Sequence, residues 1–195
     1  MIDDLLKQPK GRFLKIVFKK NTKMKKIVLF CVIVMFFIGT VYAELSLGNK
    51  PPEIIILNGK TDGSEWKSKD ILGKVTVLFY IDPDEKEVNQ LVWRALKKEN
   101  FPFDQFGLIA VMNLDATWIP NAAIETMLKS RQQKNSHTIY VRDRTKELVK
   151  KWGLKDDSFV VIAFDKKGRI IFRKDDELSL EDVDILIKIV KKFIE

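Results

Sequence analysis

Cysteine is nearly missing from this sequence. Its one copy, Cys31, lies inside an apolar run near the N-terminus, and residues 44–195 contain no thiol. That segment can form no disulfide, cycle no dithiol and bind no metal through thiolates. Histidine is as scarce. His137 stands alone, so it cannot build a multi-histidine zinc site, and nothing in the pattern picks out triad partners for it. Its position beside Asn135-Ser136, ahead of a short strand, predicts a surface turn. A glycine-rich phosphate loop is also missing. Gly73-Lys74 runs into Val75 with no glycine five residues upstream, and its expected task is to turn the chain into a strand. No repeat, low-complexity tract or Pro/Gly/Ser-rich linker interrupts residues 44–195.

Excess charge of either sign is missing from most of the chain too. The formal charge of +8 is concentrated at the start: residues 1–43 hold nine Lys/Arg against two acids, and residues 44–195 hold 26 basic and 25 acidic residues. The high pI therefore belongs to a leader. Without a net-basic, aromatic-interleaved domain, no nucleic-acid partner is expected. Met24-Lys25-Lys26 precedes the apolar run Ile27–Ile38, and Val41-Tyr42-Ala43 places small residues at −3 and −1 of a cleavage site. This is the pattern of a secretory signal peptide, and Met24 is its natural start. Phe30 before Cys31 is too bulky for a lipoprotein-type site. Two domains are therefore expected: a basic leader and signal, 1–43, and one folded domain, 44–195, exported to the periplasm. The alternative is an uncleaved anchor, residues 27–43, on the cytoplasmic membrane. The membrane is expected as a partner only through that segment.

Within 44–195 the apolar patterning alternates between strand and helix. Strands are expected at Glu53–Asn58, Val75–Ile81, Phe106–Asn113, Thr138–Val141 and Phe159–Phe164. The last leads through Asp165–Gly168 into Arg169–Arg173 as a hairpin. Val88, Leu91, Val92, Ala95 and Leu96 mark one face of a helix that starts at Asp82. Asn121 is the expected cap of a second helix, Asp143 opens a short third ending at Trp152-Gly153, and Ser179 opens the last. The order β-β-α-β-α-β-α-β-β-α describes an α/β, thioredoxin-like plan: a mixed central sheet with helices on both faces.

In such a fold the turn after the central strand carries the redox Cys-x-x-Cys, activated by the helix N-terminus. Here that turn is Asp82-Pro83-Asp84-Glu85. All four residues also suit a helix start: Asp82 as N-cap, Pro83 at N1, and Glu85 at N3 completing a capping box. The position of the conserved-fold cis-proline falls at Asp157-Ser158, where no proline stands. A second set, Asn113 and Asp115, closes the neighbouring strand. With Asp82 and Asp84 it could offer oxygen ligands to a divalent cation, though without EF-hand spacing. Trp66 and Trp152 are expected in packed positions, and Trp118, in the irregular Ala116–Pro120 stretch, at the surface.

The sequence resembles the YtfJ-like family of small exported proteins. The likeness rests on Trp66, Leu72-Gly73-Lys74-Val75, Tyr80-Ile81, Asn89, Asn113, Asp115-Ala116, Trp118, Pro120, Asp143, Trp152, Leu154, Ser158 and Asp165–Gly168, and runs over residues 45–195. It implies a periplasmic, thioredoxin-like protein and carries over no catalytic residue. The expectation is a redox-inactive, non-catalytic binding module with no cofactor. It would contact an envelope protein through Asp82, Pro83, Asp84, Glu85, Asn113, Asp115, Trp118, Asp157 and Ser158. The alternative is a carboxylate- or cation-dependent enzyme or ligand binder using the same loops. Oligomeric state is left open.

Overall fold

Strand Val75–Ile81 (β3) lies at the centre of the molecule because all seven of its residues are buried. Alternate side chains serve opposite faces, as the period of a strand requires. Val75, Val77, Phe79 and Ile81 enter one core, and Leu78 and Tyr80 enter another. The computed structural model describes residues 45–195. The leader and signal, with the possible anchor, lie outside the described residues.

Two short strands, Ile55–Ile56 (β1) and Trp66–Lys67 (β2), form a separate antiparallel hairpin. The main sheet follows the order β5-β4-β3-β6-β7. Strands Phe106–Asn113 (β4) and Thr138–Asp143 (β5) run parallel to β3, Phe159–Phe164 (β6) is antiparallel to it, and Ile170–Asp175 (β7), antiparallel to β6, points the same way as β3 again. Helices Gln90–Lys98 (α1), Asn121–Lys134 (α2) and Leu180–Ile194 (α4) cover one face through Val92, Leu96, Leu128, Leu186 and Val190. The short helix Glu147–Trp152 (α3) covers the other, where Trp66, Trp152 and Phe164 pack edge to face. Among the described residues no helix is long and apolar enough to cross a membrane.

Five local expectations are corrected. The segment 53–58 is not part of the main sheet: only Ile55–Ile56 pairs, and with β2. The helix after β3 does not begin at Asp82. Pro83–Glu85 makes a single 3-10 turn and α1 starts at Gln90. Glu85 completes no capping box, because Asp82 accepts instead from the Asp84 N–H. Leu91, expected on the apolar stripe, is 45% exposed, since the buried face of α1 is centred on Val92 and Leu96 and Leu91 falls at its edge. The N-cap of α2 is Pro120 rather than Asn121.

Candidate functional site

β3, β4, β5 and β7 all deliver their C-terminal loops to one end of the sheet. β6, being antiparallel, begins there. The antiparallel register sets Ile81 opposite Phe159, so Asp82 meets Ser158, and the Asp82 N–H donates to the Ser158 carbonyl at 3.0 Å. The two segments expected at the redox position of such a fold are thus in contact. Asp82 is 5% exposed and Ser158 3%. Burial pushes the Asp82 carboxyl above the ordinary carboxylate range, and the nearby charges of Asp84, Asp157 and Glu85 push the same way, against the Asp84 N–H bond.

Ser158 is engaged structurally. Its hydroxyl donates to Asp176 Oδ1 at 2.9 Å, and Lys155 holds the other oxygen. Those contacts, Lys155 first, draw the Asp176 pKa down. The Asp176–Leu178 loop is in turn fixed by Asn89, whose side chain donates to the Asp176 carbonyl at 2.8 Å and accepts from the Leu178 N–H at 2.9 Å. A buried hydroxyl committed to a carboxylate is poorly placed as a nucleophile.

The neighbouring loop is braced against the first. Thr117 Oγ1 donates to Asp84 Oδ1 at 3.2 Å and accepts from the Ile119 N–H. Trp118, between them, is 86% exposed. Asn113 is buried and donates to Asp156 Oδ1 at 3.0 Å, while Lys146 pairs with Asp156 Oδ2 at 2.8 Å. Burial raises the Asp156 pKa, but the Lys146 bond and further donors outweigh it and the net direction is down. Asp84, Glu85, Asp115 and Asp157 are exposed. Pro83 is buried under the turn.

The structure therefore gathers every sequence-expected residue at one end, but it binds them into separate clusters. Among the described residues no three His, Cys, Asp or Glu side chains converge to hold a metal ion. What the end offers instead is charge. Loops 82–89, 113–120, 143–147, 153–158 and 175–182 carry fourteen Asp/Glu against four Lys/Arg. Part of this acidity complements the helix N-termini located there. Sequence reasoning missed Asp156, Asp176 and Lys146. They come from three loops, after β5, before β6 and after β7, and only the sheet order brings Lys146 and Asn113 onto Asp156 and Ser158 onto Asp176.

The family described as "Bacterial protein of unknown function (YtfJ_HI0045)" matches residues 41–193. The chain belongs to this family. A relative, an uncharacterised protein of Haemophilus influenzae, is 27% identical over 179 residues, covering 86% of this chain and 97% of its own. The uncharacterised protein YtfJ of Escherichia coli is 25% identical over 147 residues, covering 73% and 79%. Among solved structures, the pneumococcal exposed lipoprotein thioredoxin Etrx1 from Streptococcus pneumoniae matches with a TM-score of 0.51 at 16% identity, covering 72% of this chain and 99% of its own. At that identity the likeness concerns the fold, which is thioredoxin-like. This YtfJ_HI0045 member keeps that fold around a position without cysteine.

Asp82 gives a pH-dependent prediction. Its native pKa is raised, so the native state holds the proton more tightly than the unfolded chain. Stability contributed by Asp82 therefore falls as pH rises through the acid range, and the full cost is present above its native pKa. Asp82→Asn keeps the acceptor for the Asp84 N–H and removes that cost. The variant should gain on the wild type between about pH 4 and about pH 7, measured as the difference in urea midpoints. A difference that shrinks over this range would refute the assignment.

Proposed function

We propose that this chain is an exported binding module: a thioredoxin-like domain without redox chemistry that contacts another envelope protein through the loop end of its sheet. The observation that carries this reading is Trp118. A large aromatic ring stands 86% exposed on a loop braced to Asp84, and exposed aromatics on rigid supports anchor protein interfaces. The acidic loops around it favour a basic surface on the partner. Two facts support a non-redox role: no thiol stands in residues 44–195, and the buried Ser158 hydroxyl is committed to Asp176. Export rests on the signal-like segment ending at Ala43.

A photo-crosslinking residue placed at Trp118 of the full chain, in its own cells, tests the reading. A discrete adduct with one envelope protein is expected, weakened when Asp84 and Asp115 are changed to lysine, and missing when the probe replaces Gln133. The exported form should begin at Glu44. No adduct at 118, or turnover of a disulfide substrate by the purified protein, would overturn the reading.

A further inference from the structure

The opposite end of the sheet has a different surface. Loops 72–74, 99–106, 134–137 and 165–169, with the chain end 191–195, carry seven Lys/Arg against four Asp/Glu. Two of those acids are neutralised locally, Glu99 by Lys191 at 2.6 Å and Asp165 by Arg169 at 3.0 Å. Among the described residues Lys74, Lys134, Lys166, Lys167 and Lys192 form no ion pair with an acid. All five are exposed.

These loops form one surface. The Gly73 N–H donates to the Lys166 carbonyl, Lys166 Nζ to the Ile194 carbonyl at 2.9 Å, and Lys74 Nζ to the Phe103 carbonyl. Gly168, at φ +76°, sits so close to Leu72 that a Cβ there would lie 2.7 Å from its side chain. Apolar groups protrude among the lysines. Phe103 is 55% exposed and stacks on the His137 ring, with centroids 3.5 Å apart and planes at 11°. Leu72 is 47% exposed and Phe193 37%.

Helix C-termini account for some of this basicity, since Lys134, Lys191 and Lys192 lie in last turns and cations are favoured there. They do not account for Lys74, Lys166 and Lys167, which lie in loops, or for exposed rings beside them. Aromatic and aliphatic side chains interspersed with flexible lysines suit the headgroup region of a bilayer, where the apolar parts insert and the ammonium groups meet lipid phosphates. The described chain also enters the fold here: Gly48 and Asn49 pair with Ile170 at the start of β7.

We infer that this basic, aromatic end docks on an anionic phospholipid surface, which turns the acidic Trp118 end away from the membrane. The negative field of the same surface attracts one end and repels the other, so orientation follows from the charge separation along the strands.

The full chain, with Cys31→Ser, is given a solvatochromic fluorophore on a single introduced cysteine, at Phe103 or at Trp118. Vesicles are of phosphatidylcholine alone, or of about two parts phosphatidylcholine to one part phosphatidylglycerol. The same chain meets both kinds, so the comparison isolates the lipid charge. The probe at 103 should shift to the blue on the anionic vesicles only, and the probe at 118 on neither. Lys134→Glu, Lys167→Glu and Lys192→Glu together, exposed changes checked for an unaltered thermal melt, should weaken the response at 103 roughly tenfold. The response should also fall with salt. Equal responses on both vesicles, a larger response at 118, or a concentration-dependent shift without vesicles, which would mean a second copy as the occupant, would each overturn the proposal. None of these outcomes depends on the cross-linking result at Trp118.

Discussion

Replacing Asp143 with alanine is expected to destabilise the domain by about 3–4 kcal/mol, the largest effect of any polar substitution here. The carboxylate ends β5 with 0% exposure. One oxygen accepts from the N–H groups of Thr145 and Glu147, at 3.3 and 2.9 Å. The other accepts from Leu148 N–H at 3.0 Å and from the Tyr80 hydroxyl at 3.5 Å. It is the cap of α3, although it lies outside the helix. The formal N-cap, Lys146, has a left-handed backbone and makes no side-chain cap bond. Alanine would strand several donors next to the Tyr80 ring. Asp143→Asn keeps one acceptor oxygen and should cost about half as much. Urea melts of the two variants check the ranking, and an alanine variant within about 1 kcal/mol of wild type would refute the capping role.

Arg142→Met should cost about 3 kcal/mol. Arg142 is 5% exposed. Its guanidinium donates to the carbonyls of Asn58 at 2.9 Å and Gly59 at 3.3 Å, and to that of Lys60, while Glu125 lies 3.5 Å away. Methionine fills the volume but removes the charged donor that ties three successive carbonyls together, leaving them only the Arg144 guanidinium on Asn58, the residue-142 N–H on Gly59 and the Gly63 N–H on Lys60. The consequence is also topological. Lys60 bridges Val141, so the 58–60 turn covers the outer edge of β5. Freeing that turn exposes an edge strand, which invites intermolecular pairing. Faster amide exchange around Val141 and concentration-dependent aggregation should accompany the lower urea midpoint. A variant that loses stability with unchanged exchange at β5 would count against the clamp.

Neither residue announces these roles in the sequence. Asp143 was legible as a helix opener, because an acid between a strand and a short segment closed by Trp152-Gly153 is a capping signal. That it works across four residues was not legible, since the distance depends on the left-handed Lys146. Arg142 reads as one more surface cation in a strand. Only its pairing with a turn more than eighty residues earlier shows otherwise. Similarly, Asp82-Pro83-Asp84-Glu85 looked like an ordinary helix start, and the local chemistry was right about the Asp82 cap. The delayed start of α1 follows from Asn89, whose side chain is drawn to the Asp176–Leu178 loop.

Strand and helix positions, the mixed sheet and the lack of a thiol in residues 44–195 follow from the sequence by itself, because hydrophobic period and residue identity are local properties. The convergence of Asp82 with Ser158, the bracing of Trp118, and the division into an acidic and a basic end were decided only by the tertiary structure. Four strands send their outgoing loops one way, the single antiparallel strand β6 returns the chain between them, and charges scattered through a nearly neutral sequence are thereby sorted to opposite poles.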